Sequence, residues 1–251
     1  MNMFDLTSKV AIVTGGNGGI GLGMARGLAG AGASLVIAGR NAAKGEAAAK
    51  ALGGDAVFIA ADVTRKADCV ALVAQAVARF GRLDILVNNA GIAIRKSPQD
   101  LEEADWHAVM DTNMTSAFLC CQAAYPEMVR AGGGKIVNIG SVMSLMGAPH
   151  ASAYAASKGA IMQYTRAIAT AWAGANIQAN AILPGWIDTE LTAGARDQVP
   201  GLNDSVMSRT PAGRWGKSED LAGIAVFLCS HASDFVTGAA IPCDGGYTIR
   251  G

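Results

Sequence analysis

The sequence predicts an α/β protein, a doubly wound parallel sheet of seven strands with helices on both faces. Three observations carry that prediction. Residues 14–21 read TGGNGGIG, five glycines set between two apolar runs. Lys9–Thr14 (KVAIVT) before them is β-branched and apolar, and Ile20–Ala29 after them spaces Ile20, Met24 and Leu28 as a helix does. Glycine weakens helix and strand interiors alike. Strand, glycine loop and helix together leave free amides that hold a pyrophosphate. Strand-like and helix-like stretches then alternate to the end of the chain. Finally, the strands are apolar on both faces, as in a parallel sheet covered by helices.

Each further element follows in order. Ser34–Gly39 (SLVIAG), Ala56–Ala60 (AVFIA), Asp84–Asn88 (DILVN), Lys135–Gly140 (KIVNIG), Ile177–Leu183 (IQANAIL) and Ala239–Pro242 (AAIP) read as strands. Helical patterns lie between them near Ala42–Leu52, Lys66–Phe80, Asp105–Arg130, Ala153–Ala173 and Glu219–Cys229. Seven such strands fit the Rossmann-type order 3-2-1-4-5-6-7, with a ligand crossing the carboxyl edge at the switch point. At 251 residues the chain suits one domain spanning 1–251. One region breaks the rhythm. Trp186–Lys217 carries Pro200, Pro211, several glycines and little periodicity. A long irregular segment in a compact domain is usually functional, so a substrate lid is expected within 186–217.

Composition narrows the function classes. Twenty basic and twenty acidic residues give no net charge, so nothing draws the chain to nucleic acid or an anionic membrane. No apolar run reaches the roughly 18 residues of a membrane span, and MNMFDLTSKV is not patterned as a secretory signal. Cys69, Cys120, Cys121, Cys229 and Cys243 are odd in number and lack metal-ligand spacing, which suits buried thiols in a reducing compartment. His107, His150 and His231 are scattered, so no metal cluster is expected. A cytoplasmic, metal-free protein is the expectation.

The motifs are more specific. The loop is T-G-x-x-x-G-x-G, with Gly15, Gly19 and Gly21; Asn88-Asn-Ala-Gly91 follows the fourth strand, and Asn113 lies within the following helix pattern. Ser141 ends the fifth strand, and Tyr154-Ala-Ala-Ser-Lys158 begins thirteen residues on. Pro184-Gly185 closes the sixth strand and Thr189 follows. In joint order and spacing the chain resembles the short-chain dehydrogenase/reductase family over its whole length. Carbonyl reduction needs a hydride donor and a proton donor at oxygen, and oxidation the reverse. Tyrosine, with an ordinary pKa of about 10, is a poor base at neutral pH. Lys158, four residues after Tyr154, shares its helix face, and its charge is expected to lower the tyrosine pKa. Ser141 can hydrogen-bond the substrate oxygen. The resemblance implies that Asn113 holds a water linking Lys158 to solvent and that Lys158 bonds the nicotinamide ribose. It also makes Asn88 and Asn89 supports of the sheet and cofactor loop. The implied cofactor contacts are Gly15, Asn17, Gly19, Ile20, Gly21, Arg40, Asp62, Val63, Asn89, Tyr154, Lys158, Pro184, Gly185, Ile187 and Thr189.

Cofactor choice turns on Val36–Asn41 (VIAGRN). NAD-preferring proteins place a carboxylate at the end of the second strand; here Gly39 and Arg40 stand there. A guanidinium can take a 2′-phosphate bidentately, so NADP(H) is expected. NAD is the alternative, if Arg40 only stacks on adenine. The substrate is a small-molecule alcohol or carbonyl compound. Ile92–Lys96, Ser141–His150 and Trp186–Lys217 should line its pocket, with Arg95, His150, Trp186, Arg196, Arg209, Arg214 and Trp215 as polar or aromatic candidates. Thr210–Gly216 (TPAGRWG) through Cys243–Gly246 (CDGG) resembles the gluconate 5-dehydrogenase and 2-deoxygluconate 3-dehydrogenase branch. That points to a sugar acid or polyol. The alternatives are a 3-oxoacyl-carrier-protein-type reductase and, in another class, a non-catalytic NADP(H)-sensing protein. The resemblance further implies a homotetramer, paired through the helices near Asp105–Arg130 and Ala153–Ala173 and through the last strand.

Overall fold

The computed structural model describes residues 2–250. Seven parallel strands form one sheet: β1 (Val10–Thr14), β2 (Ser34–Gly39), β3 (Val57–Ala60), β4 (Ile85–Asn88), β5 (Gly134–Ile139), β6 (Ile177–Pro184) and β7 (Ala240–Cys243). Their order is β3-β2-β1-β4-β5-β6-β7, and the reversal between β1 and β4 is the expected switch point. Both neighbours of β1 run beside it in parallel, with Ile12 opposite Val36 on one side and Leu86 on the other.

Successive strand residues feed two cores. Ile12, Val36, Leu86 and Ile136 face one side, where they meet α3 (Lys66–Phe80), α5 (Ser116–Arg130) and α6 (Ser152–Trp172) through Leu72, Met128 and Ile168. Ala11, Val13, Leu35, Ile37, Ile85 and Val87 face the other, against α1 (Gly19–Gly30) and α9 (Ala222–Cys229) through Met24, Leu28 and Leu228. That two-sided burial is why most of the strands carry no polar alternation; the start of β6, where Gln178 and Asn180 alternate with apolar residues, is buried all the same. Helix α1 packs closely on the 3₁₀ turn Ser218–Leu221, where a Cβ at Gly23 would overlap the Ser218 carbonyl. The remaining helices are α2 (Ala42–Leu52), α4 (Glu103–Met110), α7 (Glu190–Gln198) and α8 (Leu202–Arg209). Among the described residues no helix is long and apolar enough to cross a membrane.

The structure differs from the sequence expectation in three places. The helix expected over Asp105–Arg130 is interrupted by a π turn at Asp111–Thr115 that separates α4 from α5. Asn113 lies at its centre and spends its side chain on Ile92 and Ser157; such single-turn bulges recur at functional sites. Within Trp186–Lys217, expected to be irregular, α7 and α8 are regular helices. They bury only Ala195 and Val206 of their apolar residues, too few to leave a periodic trace. The pattern over Glu219–Cys229 begins as the 3₁₀ turn and becomes α-helical at Ala222.

Candidate active site

The carboxyl ends of β1, β4, β5 and β6 open into one groove. The Thr14 hydroxyl accepts from the amides of Asn89 and Ala90 at 3.0 and 3.1 Å, and Asn89 Nδ2 donates back to the carbonyls of Thr14 and Gly15 at 3.0 and 3.1 Å. These bonds fasten the glycine loop to the end of β4. A Cβ at Gly21 would overlap Asn89 Nδ2, so only glycine allows α1 to start so close behind the loop. Below them a buried amide ladder ties strands to helix: Asn88 Nδ2 donates to Asn138 Oδ1 at 2.8 Å, and Asn138 Nδ2 donates to Thr165 Oγ1 at 2.9 Å. Asn88 and Asn89 are therefore supports in this geometry.

One half of the groove is lined by Gly15, Asn17, Gly39, Arg40, Lys44, Asp62 and Val63. The other is lined by Gly19, Ile20, Ser141, Tyr154, Lys158, Pro184, Gly185, Ile187 and Thr189. Every expected cofactor contact except Gly21 faces the groove directly; Gly21 stands behind the loop and shapes it. The groove fits a dinucleotide. Helix α1 has no side-chain cap and no acid in its first turn, leaving its first amides free for a pyrophosphate. At the end of β2 a Cβ on Gly39 would meet Asn17 Nδ2 only at 3.4 Å, and no carboxylate stands at that position. Asp62, beyond it, lies below the usual carboxylate range, held there by hydrogen bonds from Thr64, with Arg40 and Arg65 assisting against desolvation. Sequence reasoning passed over Lys44, which lines both halves; it reads there as one more polar residue of a helix. Its only signal was its position in the first turn after a cofactor strand.

Ser141, Tyr154 and Lys158 meet at the inner end. Ser141 stands two residues beyond β5, at the start of a 3₁₀ turn, and is locked in a reciprocal cap: its Oγ accepts from Met143 N at 3.1 Å and its amide donates to Ser144 Oγ at 3.2 Å. Lys158 is 4% exposed, and its Nζ donates to the Ile139 carbonyl at 2.7 Å and lies 5.6 Å from the Tyr154 ring centre. Asn113 sits across Gly91 from it: a Cβ on Gly91 would be 3.2 Å from Asn113 Oδ1 and 3.5 Å from Lys158 Nζ. Both amide hydrogens of Asn113 are committed, to the Ile92 carbonyl and Ser157 Oγ at 2.9 and 3.0 Å.

The electrostatics depart from the sequence expectation. Burial pushes the Tyr154 phenol up, and what opposes that is a hydrogen bond with Ser141 and the charge of Arg95, not Lys158. Burial also lowers Lys158 to about 8. Desolvation outweighs attraction for both groups in the free protein.

The structure separates the substrate-pocket candidates. Arg214 pairs with Asp220, and Arg196 pairs with Asp188 at 2.9 Å and stacks over Trp215 at 3.9 Å. Arg209 stacks over Tyr247 at 4.8 Å. Trp186 packs edge-on against Trp215 and Tyr247. His150 is exposed and meets Ser97 at 3.3 Å. These side chains serve mainly to fold residues 186–217 and the chain end against the domain. Arg95 differs. It is half-buried on the loop that bridges to Ala151 through Lys96, close enough to Tyr154 to influence it. Burial depresses its guanidinium, and among the described residues it has no ion-pair partner. Nor do three or more His, Cys, Asp or Glu gather there as a metal site.

The chain has clear relatives. A family model described as enoyl-(acyl carrier protein) reductase matches residues 15–248. The 2-dehydro-3-deoxy-D-gluconate 5-dehydrogenase of Dickeya dadantii (strain 3937) is 43% identical, covering 100% of this chain and 99% of that one. The gluconate 5-dehydrogenase of Gluconobacter oxydans (strain 621H) is 41% identical, covering 99% and 98%. Among solved structures, a gluconate 5-dehydrogenase from Burkholderia cenocepacia J2315 in complex with NADP and tartrate superposes with a TM-score of 0.95 at 42% identity, covering 100% of this chain and 99% of that one.

The buried lysine predicts a pH signature. Lys158 titrates near 8 when folded and near 10.5 when unfolded, so between those values the unfolded chain binds more protons. Stability attributable to this residue therefore rises with pH across that window, by up to about 3 kcal/mol. Denaturant unfolding of the wild type and Lys158→Met at pH 7.5 and pH 10 measures it. The wild type should gain relative to the variant at the higher pH; parallel curves would show an ordinary lysine.

Proposed function

The chain belongs to the short-chain dehydrogenase/reductase family, and we propose that it is an NADP(H)-dependent oxidoreductase interconverting a secondary alcohol and a ketone on a sugar acid. The observation that carries the substrate class is Arg95, a half-buried guanidinium with no ion-pair partner among the described residues and near enough to Tyr154 for its charge to act on the phenol. A buried charge without a counter-ion is costly. A substrate carboxylate supplies that counter-ion, with charge-assisted hydrogen bonds, and holds the reacting carbon a short chain away from Tyr154. The acids in the relatives' names and the tartrate of the Burkholderia complex support the same class. A neutral 3-oxoacyl thioester would leave Arg95 uncompensated, and the complete Ser141, Tyr154 and Lys158 set lends no support to a non-catalytic sensor.

A nicotinamide cofactor held between the glycine loop, Lys158 and Thr189 would supply the hydride acceptor for oxidation and the hydride donor for reduction. The chain's residues do the rest. Tyr154 takes the hydroxyl proton during oxidation and gives it back during reduction. Ser141, its Oγ fixed by the reciprocal cap, hydrogen-bonds the substrate oxygen and Tyr154 together. Lys158, protonated at neutral pH, brings the positive charge that favours tyrosinate once Tyr154 loses its proton. Asn113 holds the loop at Ile92 and Ser157 in place beside Lys158. Arg40, at the end of β2, selects the 2′-phosphate. Residues 186–217 form the lid over the substrate, anchored by the Trp186, Trp215 and Tyr247 cluster.

The assembly reading is a homotetramer. Phe118 and Val129 on α5 are 40% and 45% exposed, and Trp106 on α4 is 39% exposed. Phe235 and Ile249, near the chain end, are almost wholly exposed. These two apolar areas are what two different pairings of identical chains would cover.

Tyr154→Phe should fold and bind NADPH yet lose about 10²–10⁴-fold in kcat, the usual contribution of an acid–base group; retention of a tenth of wild-type kcat would remove Tyr154 from that role. Arg95→Met should lower kcat/KM for a sugar acid by roughly tenfold to a hundredfold while leaving the corresponding neutral polyol nearly unchanged. An equal loss on both would mean that Arg95 positions the loop instead of reading a carboxylate. Sedimentation at micromolar concentration should give four times the 25.5 kDa of one chain; a monomer would refute the assembly.

A further inference from the structure

Across the mouth of the groove runs an ion pair that no motif explains. Lys44 Nζ meets both carboxylate oxygens of Glu190 at 2.8 Å. The two residues come from opposite walls. Lys44 stands in the first turn of α2, fixed there because the Asn41 side chain caps its amide at 3.0 Å. Glu190 opens α7, immediately after Thr189. The lysine reaches inward until its Nζ lies 3.0 Å from where a Cβ of Gly18 would be, directly over the glycine loop. It lines the adenosine half together with Gly39, Arg40 and Asn41, and the nicotinamide half together with Gly19 and Thr189.

We propose that Lys44 is a second cation for the cofactor's 2′-phosphate and that Glu190 is its stand-in partner, displaced when that phosphate arrives. The inference rests on the NADP(H) reading above. The physical case has three parts. Lys44 and Arg40 lie four residues apart on either side of the Asn41 cap, at the wall where the ribose of the adenosine half must lie. The free amides at the start of α2 add positive potential there. The Lys44–Glu190 pair is also exposed, at 39% and 86% for the two side chains, so it is weak and salt-screened. A phosphate dianion offers more charge than a carboxylate and replaces it. Releasing Glu190 uncouples α7 from α2, so that cofactor binding and lid position share one side chain. Glu190 thereby takes back part of the NADPH affinity that Lys44 supplies, a cost that NADH, which has no dianion to displace it, does not bear.

The test is a double-mutant cycle read by binding of NADPH and NADH to the free protein, followed by calorimetry or nucleotide fluorescence. Lys44→Ala should weaken NADPH by roughly five- to fiftyfold and leave NADH within about twofold, with Lys44→Arg restoring most of the loss. Glu190→Gln should tighten NADPH by roughly two- to fivefold, the worth of an exposed pair. That gain should disappear in the Lys44→Ala background, because nothing is left for the carboxylate to occupy. A Glu190→Gln gain of equal size with and without Lys44 would reduce its effect to general repulsion and overturn the proposal. So would a Lys44→Ala loss shared equally by NADPH and NADH. A wild type that prefers NADPH but ignores Lys44→Ala sinks this inference alone. A wild type that binds NADH as tightly as NADPH sinks the cofactor reading, and this inference with it.

Discussion

The groove depends on the clasp between Thr14 and Asn89. Strands β1 and β4 end side by side at the switch point, and the chain leaves them in opposite directions, toward α1 and toward the Ile92–Ser97 loop. Nothing in the sheet ladder itself holds those exits apart at a fixed distance. The Thr14 hydroxyl takes two amides from the β4 exit, and the Asn89 amide answers with two carbonyls on the β1 exit. At roughly 0.5–1.5 kcal/mol for each bond, the clasp is modest as stability and large as geometry. It sets where the free amides of α1 point. It also forces glycine at position 21, because the Asn89 side chain already occupies the space of a Cβ.

A second constraint runs beneath the chemistry. The ladder from Asn88 through Asn138 to Thr165 links buried amides across β4, β5 and α6, although Asn88 Oδ1 itself is left without a partner. It fixes α6 against the sheet, and α6 carries both Tyr154 and Lys158. Lys158 can then remain nearly buried with a single carbonyl partner, Ile139. That arrangement is unfavourable for a cation in the free protein, as its lowered pKa records. The site thus stores an under-solvated charge next to a phenol that burial holds protonated. Any ligand that brings negative charge to this end relieves the lysine.

The parts that were legible in the sequence share a cause. Strands buried on both faces advertise themselves by mostly apolar, β-branched stretches, even where β5 and β6 carry buried Lys135, Asn138, Gln178 and Asn180, so the expected strands match the observed ones to within a residue at their ends. Ser141, Tyr154 and Lys158 were legible through spacing, and the fold brings them to one cleft. What stayed hidden required three dimensions. The π turn around Asn113 inserts its extra residue without disturbing the apolar pattern of the helices beside it. Helices α7 and α8 bury too little to show a period. Lys44 reads as solvated helix surface until Glu190, 146 residues away, is seen opposite it. The direction of the Tyr154 shift depends on desolvation, which the four-residue spacing to Lys158 does not encode.

The charge distribution connects these observations to selectivity. The chain carries twenty basic and twenty acidic residues, so it has no net field with which to gather anions from a distance. In the reading proposed above, recognition of a 2′-phosphate and of a substrate carboxylate must then be local. In that reading, cations of different character meet the need: Arg95, near Tyr154, and Arg40 and Lys44, in the groove. Arg95, half-buried and without an ion-pair partner among the described residues, is poorly screened by salt and suits tight orientation of a small carboxylate. Arg40 and Lys44 are more exposed, and Lys44 keeps a replaceable partner, which suits a cofactor that must leave after each turnover. The same exposure that makes the Lys44–Glu190 pair weak makes its exchange with a phosphate reversible. A buried cation at that end would bind more tightly and release too slowly. The position of each cation relative to solvent is therefore part of the division of labour between holding the substrate and exchanging the cofactor.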